Sequence, residues 1–318
     1  MKFLEMKALD GSPIRVSRIA IGSAMSMGAL KKEQIFAVYD AYCALGGNCI
    51  DTARYYNQGM AEQTVGEWLQ SRGCRGQIVL SSKGGHPADE APEVSRLTKK
   101  DLLADLEASL CALGTDYIDL YWIHKDDPHK SPEEIAETAH AVVQTGKVRC
   151  IGCSNFHTDR IAAVNACAEK NGWGGFACSQ LQWSLTATKE EYFRQFGAVV
   201  MDDASYAWYY GRQMPVFCFS SQAQGFFARA AAGGLDSLPP HLQRFYGSPE
   251  NMLRLEKVRQ YAAQHHVPVS APVLGYLVDN KLPAVALIGA ENVEMLRQSM
   301  CGGDLEMTPA EADALYQV

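Results

Sequence analysis

Short runs rich in Ile, Val, Leu and aromatic residues alternate along this chain with longer stretches whose apolar positions recur every three to four residues. The short runs predict strands at Arg18 to Ile21, Asn48 to Asp51, Ile78 to Ser82, Ile118 to Ile123, Val148 to Cys153, Ala177 to Gln180, Val216 to Phe219 and Ala284 to Ile288. Between them the longer period predicts helices, among them Glu33 to Leu45, Lys99 to Leu113, Pro132 to Thr145 and Pro249 to His265. In the second of these, Leu102, Leu103, Leu106, Leu110 and Leu113 build one apolar face, Thr98 is placed to cap the start and Gly114 to end it. Ser131-Pro132-Glu133-Glu134 supplies the next start with a cap, a proline and an acidic first turn. Strands alternating with crossover helices imply a parallel sheet, and eight is the number that closes it, so the expected fold is α/β, a (β/α)8 TIM barrel.

Two segments break the rhythm. Thr186 to Met214 is longer than a simple crossover, and Gly225 to Gly247 is rich in Gly, Ala and Pro without a clean period, so both are expected as long loops on the C-terminal face, beside an active site. Ahead of the first strand, the turn signal Asp10-Gly11-Ser12-Pro13 predicts a hairpin that plugs the barrel bottom. Neither an internal repeat nor a low-complexity linker divides the sequence, and one domain over residues 1–318 is the simplest organisation.

Composition narrows the function. Hydrophobic residues at 47% against 20% charged fit a packed enzyme-sized core, and a net charge of −7 lacks the basic footprint of a nucleic-acid binder. Charges scattered through residues 1–20 leave no apolar signal core, and with no spanning run elsewhere the chain is expected in the cytoplasm and off the membrane. The ten cysteines fall mostly in apolar periodic stretches and read as reduced filler. Cys150 and Cys153, three apart in a strand, point to opposite faces.

A barrel gathers its chemistry at the carboxyl ends of its strands. Those ends carry Asp51-Thr52-Ala53-Arg54-Tyr55-Tyr56, Ser81-Ser82-Lys83, Tyr121-Trp122-Ile123-His124, Ile151-Gly152-Cys153-Ser154-Asn155-Phe156 and Gln180. Together with Val16-Ser17-Arg18 before the first strand and Glu62 to Gly66 after the tyrosine, this order resembles the aldo-keto reductase family from end to end. The resemblance places Asp51, Tyr56, Lys83 and His124 on catalytic positions and implies hydride transfer between a nicotinamide and a carbonyl or alcohol carbon. Oxygen gains charge as hydride reaches the carbonyl carbon, so an acid must protonate it, and Tyr56 is the expected donor. A free phenol has a pKa of about 10; the Lys83 ammonium is expected to lower it, Asp51 to keep Lys83 charged, and His124 to hold the substrate oxygen.

No Gly-x-Gly-x-x-Gly turn follows a strand, so the dinucleotide must be held by other strand ends. By resemblance, Ser154, Asn155 and Gln180 hold the carboxamide, Phe219 stacks on the nicotinamide where tyrosine is usual, and Gly22, Ser23 and Asp51 lie along the cofactor. Gly289, Ala290 and Asn292 belong to the turn and helix start that meet the adenosine phosphates. NADP(H) is the family default. Because Glu291 and Glu294 stand where NADPH users commonly place a base, and only Arg297 or Arg229 offers one, NAD(H) is the alternative. Further departures are Ser221-Gln222-Ala223-Gln224, where proline and leucine are common, and Trp183, where tyrosine is.

For the small-molecule carbonyl or alcohol substrate, Tyr55, Trp122 and His124 are the expected contacts, with Trp183 and Tyr206 to Tyr210 as further candidate walls. The polar neighbours Lys125, Asp126, Asp127 and Asn57 suit a sugar or small aldehyde. A non-catalytic dinucleotide sensor on the same fold is the rival class. No metal is expected, since a metal-dependent hydrolase needs ligands at several strand ends and only Asp51 and His124 qualify.

Overall fold

The computed structural model describes residues 1–24 and 30–318. Strands β1 (Phe3–Lys7) and β2 (Pro13–Ser17) pair antiparallel as the expected hairpin, and β3 (Ile19–Gly22) follows at once. β4 (Cys49–Asp51), β5 (Val79–Gly84), β6 (Ile118–Ile123), β7 (Val148–Ser154), β8 (Ser179–Gln182), β9 (Val216–Phe219) and β10 (Ala284–Ile288) complete the cylinder. Every neighbour pair in the ring is parallel, and β10 closes on β3. This is a (β/α)8 barrel.

Four strands run further than hydrophobicity alone suggests, β3 and β7 by one residue and β5 and β8 by two. β5 continues to Gly84 and takes in Lys83, while β8 continues to Gln182; Lys83 and Gln182 are polar yet buried, so an apolar count stops short of them. Helices α1 (Lys32–Ala44), α2 (Met60–Arg72), α3 (Lys99–Leu113), α4 (Pro132–Val143) and α5 (Thr158–Lys170) follow the first five barrel strands. Thr98 Oγ1 accepts from Asp101 N at 3.1 Å, Gly114 ends α3 in the left-handed region, and Ser131 and Glu134 form a capping box on α4.

Both long insertions are present, and each carries two short helices. α6 (Glu190–Arg194) and α7 (Asp203–Arg212) lie in the first, α8 (Phe226–Gly233) and α9 (Pro240–Tyr246) in the second. Five to ten residues are too few turns for a period to register, and the Ala-rich α8 has little polar face to alternate with. α10 (Pro249–His265), α11 (Ser270–Val278), α12 (Val293–Met300) and α13 (Pro309–Tyr316) complete the chain.

Two apolar cores result. Inside the barrel, Val79, Leu120, Trp122, Cys150, Phe217 and Val285 pack with Met6, Ile14 and Val16 of the hairpin, which closes the bottom. A larger core lies between barrel and helices. Cys150 belongs to the inner core and Cys153 to the outer, as their spacing predicts, and all ten cysteines are free.

Candidate active site

Asp51 ends β4, Lys83 lies near the end of β5, His124 follows β6, and Tyr56 stands on the loop after β4. Alternation turns Ser81 and Lys83 of β5 to one face, and the structure brings both against Asp51. Lys83 is fully buried, and its three N–H bonds meet three acceptors: Asp51 Oδ2 at 2.5 Å, the Thr52 carbonyl at 2.8 Å and Tyr56 Oη at 3.2 Å. The other carboxylate oxygen, Asp51 Oδ1, accepts from Ser81 Oγ at 2.7 Å and from Gln180 Nε2 at 3.2 Å. The Tyr56 and His124 rings stand edge to face with centroids 5.7 Å apart.

The tyrosine loop is pinned from three sides. Asn57, Gln58 and Gly59 are successive left-handed residues, Arg54 N donates to the Lys83 carbonyl, and the Arg54 guanidinium pairs with Glu62 at 2.9 Å. Buried Glu62 also accepts from Ser82 Oγ at 2.6 Å, tying α2 to β5. Holding a strained turn this way is typical of functional loops.

Burial is the largest influence on Lys83 and works against its charge, yet Asp51 and Tyr56 together outweigh it and leave the ammonium harder to deprotonate than usual. Tyr56 corrects the sequence expectation. Its hydroxyl lies at the enclosed end of the side chain, and burial raises the phenol by more than Lys83 lowers it, so the net shift is upward and the proton stays on oxygen near neutrality. Burial first, then Lys83, His86 and Lys125, drives His124 well below its ordinary value, making it neutral, and its Nδ1 is buried without a partner.

The strand ends have features that fit a nicotinamide dinucleotide. Ser23 Oγ and Thr52 Oγ1 are buried polar atoms beside Asp51 without partners among the described residues, and an unpaired buried hydroxyl is costly unless a ligand meets it. Gly22 pairs in register with Asp51, and a Cβ there would meet only the Ile288 carbonyl at 3.5 Å. Ser154 is buried opposite Gln180, and Asn155, left-handed at φ 60°, donates to Ser154 Oγ at 3.1 Å and to the His124 carbonyl at 3.3 Å. Phe219 is half-buried at the end of β9. Asn292 caps α12 by accepting from Met295 N at 2.9 Å, with Ala290 buried and Gly289 exposed before it. Arg229 and Arg297 are exposed and form no ion pair among the described residues, and Glu291 and Glu294, on the same segment as Arg297, are exposed as well.

At the mouth, Tyr55 stacks on His86 with centroids 3.7 Å apart, and His86 meets His124 edgewise at 4.8 Å. The Tyr55 hydroxyl donates to Asp89. A cavity of about 360 Å³ adjoins this pair and touches Lys83. Trp122 is not a wall of the mouth: it is fully buried within the barrel, edge-on to Phe217, with Nε1 donating to Ser81 Oγ at 2.7 Å. Trp183 is also buried, wedged between Tyr206 of α7 and Tyr276 of α11, and Tyr209 donates to Ser179 Oγ beneath the helix layer. These aromatics lie in the outer core, between barrel and helices. Trp183, Tyr206, Tyr210 and Tyr276 border a separate flank cavity of about 940 Å³ that touches none of the four catalytic candidates. Asp126 is held by both arms of Arg160, at 2.9 and 3.0 Å, and Asp127 accepts from His129 N.

Sequence reasoning gave no role to Ser81 or His86. Ser81 was findable, two residues from Lys83 on the same face. His86, in a loop without periodicity, carried no such signal. Among the described residues no group of three or more His, Cys, Asp or Glu side chains gathers as a metal site.

The family model described as the Aldo/keto reductase family matches residues 18–318. A putative aryl-alcohol dehydrogenase of Saccharomyces cerevisiae is 28% identical over 96% of this chain and 83% of its own length. A norsolorinic acid reductase of Emericella nidulans is 28% identical over 96% of this chain and 78% of its own. An NADP(+) aryl-alcohol dehydrogenase of Phanerodontia chrysosporium is 31% identical over 56% of this chain and 49% of its own.

Proposed function

The chain belongs to the aldo/keto reductase family, an NAD(P)H-dependent oxidoreductase by that membership, and on this premise we propose that it interconverts aryl aldehydes or ketones and their alcohols, with Tyr56 as the proton donor. The observation that carries the reading is the contact of the Tyr56 hydroxyl with a fully buried, carboxylate-paired Lys83, beside a neutral His124. The bound dinucleotide supplies the hydride. Ser154, Asn155 and Gln180 hold its carboxamide, Gly22, Ser23 and Asp51 flank it, Phe219 faces its ring, and Gly289, Ala290 and Asn292 receive its phosphates.

During reduction the carbonyl carbon gains the hydride, the C–O π pair moves to oxygen, and the Tyr56 proton completes the alcohol. The phenolate left behind faces the Lys83 ammonium, which stabilises it in a dry site. Neutral His124 donates a ring N–H to the carbonyl oxygen and aims it. Tyr55 stacked on His86 forms a flat wall suited to an aryl ring. Of the polar neighbours that suggested a sugar, Asp126 is taken up by Arg160 and Asp127 accepts from His129 N, which favours the aryl reading. The relatives named for aryl alcohols favour the same class. We assign NADP(H), with the exposed Arg229 and Arg297 as the candidate bases for the 2′-phosphate.

Oxidation of the reduced cofactor, followed by absorbance with paired panels of aryl aldehydes and aldoses, tests the proposal. Aryl aldehydes are expected to be turned over in preference, and Tyr56→Phe to lower kcat by about 100-fold or more. A Tyr56→Phe enzyme as fast as wild type would defeat the mechanism, and a preference for aldoses would defeat the substrate class.

A further inference from the structure

Behind the four catalytic residues, hydrogen bonds continue into the barrel interior. Trp122 Nε1 lies 2.7 Å from Ser81 Oγ, and Ser81 Oγ lies 2.7 Å from Asp51 Oδ1. Trp122 and Ser81 have no exposed surface. An indole N–H can only donate and a carboxylate can only accept, whereas a hydroxyl does both. The direction of the chain is therefore fixed. Trp122 donates to Ser81, which takes up a lone pair, and the Ser81 proton goes to Asp51.

We propose that Ser81 and Trp122 are positioning residues for the proton-transfer step, holding Asp51 as an oriented anion so that its other oxygen serves Lys83 and, through Lys83, Tyr56. This inference rests on the reading of Tyr56 as proton donor. The packing is specific to the indole. A Cβ at Gly152 would fall 2.5 Å from the Trp122 ring and 2.8 Å from Cys178 Sγ, so the neighbouring strand gives up its side chain to admit the ring. Phe217 closes the opposite side edge-on, with centroids 5.0 Å apart. Gln180 Nε2 supplies the second donor to Asp51 Oδ1 at 3.2 Å, so that oxygen is occupied twice and only Oδ2 faces the ammonium.

Removing the Ser81 hydroxyl takes the shorter of the two bonds from Oδ1. The carboxylate is then less stabilised as an anion and freer to turn, and Lys83 holds its charge beside Tyr56 less firmly. Phenolate forms less readily. In alcohol oxidation, which needs the phenolate as base, the rising limb of the kcat profile should move to higher pH.

The test compares full-length wild type with Ser81→Ala, Ser81→Cys and Trp122→Phe, each saturated with dinucleotide and an aryl alcohol. Ser81→Ala should lower kcat about tenfold and move the limb up by about half to one pH unit. Ser81→Cys, close in volume and a weak donor, should fall between it and wild type, and Trp122→Phe should move the limb in the same direction by less. A purely structural loss would lower kcat without moving the limb. In the cofactor-free protein, the Trp122 indole N–H resonance, assigned by its loss in Trp122→Phe, should shift upfield and exchange faster in Ser81→Ala. The Tyr56 phenol, titrated by difference absorbance against Tyr56→Phe, should ionise at higher pH in that variant. An unmoved limb and an unmoved phenol titration would overturn the relay. Full activity in Tyr56→Phe would defeat the underlying reading of the tyrosine instead, and the indole and phenol signals would still decide whether the relay exists.

Discussion

His124 joins two consequences of one cause. Enclosure drives its proton affinity well down, reinforced by Lys83, His86 and Lys125, so the folded ring is neutral while the unfolded ring titrates at its ordinary value near 6.5. Below that value the unfolded chain binds a proton that the folded chain refuses, and stability falls as pH falls, by up to about 1.4 kcal/mol per pH unit for one proton. His86, lowered first by burial, adds to the same slope. Urea denaturation of wild type and His124→Gln between pH 7 and 5 should therefore show a shallower loss in the variant; parallel curves would mean that His124 is protonated in the fold. At this scale strand alternation fixes the inward faces of Lys83 and Trp122, and Ser81, on the face of Lys83, carried no assigned role. Sequence reasoning misjudged Tyr56 because the sign of that shift depends on how deeply the hydroxyl is enclosed, and enclosure comes from segments distant in the chain. It misplaced Trp122 for a related reason: the residue points inward as alternation requires, but which inward layer meets substrate is set by barrel depth.

Among the elements, α2 matters most to the site, because Glu62 on its first turn fastens Arg54 and Ser82 and thereby the loop bearing Tyr56. α2 lies close against α3 at Gly66, where a Cβ would stand 2.5 Å from the Ala112 carbonyl and 2.8 Å from the Leu113 backbone. Backbone cannot rotate away as a side chain can. Gly66→Ala should thus cost about 1–3 kcal/mol by overpacking, more than the roughly 1 kcal/mol that alanine gains in helix propensity. The displaced helix should also reduce kcat. Chemical denaturation and kcat measured on the same preparation check both, and a stabilised, fully active variant would show that the two helices separate without cost. α3, α4 and α10 were legible because each has a cap and several turns of periodic apolar residues. α6, α8 and α9 were not, being too short or too uniformly apolar for a period to show; their places follow from tertiary packing, α8 against α10 and α11, and α6 against α9 through Phe193, Phe245 and Tyr246.

For the whole molecule, eight parallel strands could be counted from the alternation of two periods, and closure followed from the count. Charge at the rim follows no such rule. The chain is acidic overall, and the start of α12 carries Glu291 and Glu294, yet Arg229 and Arg297 stand exposed and without ion pairs among the described residues. A 2′-phosphate adds a doubly charged group, and exposed arginines offer it bidentate donors that carboxylates cannot. If the arginines prevail, NADPH binds more tightly than NADH. A ligand present at 100 times its Kd stabilises the fold by about 2.7 kcal/mol, so at one fixed concentration the tighter dinucleotide gives the larger rise in Tm. Wild type should show a larger rise with NADPH than with NADH. The double variant Arg229→Ala/Arg297→Ala should lose most of that difference while keeping its response to NADH, since the nicotinamide contacts are untouched. Raising ionic strength should weaken NADPH binding more than NADH binding, because the extra contacts are exposed and screened. A wild type that responds more strongly to NADH would mean that Glu291 and Glu294 dominate the rim, and the cofactor assignment would pass to NAD(H).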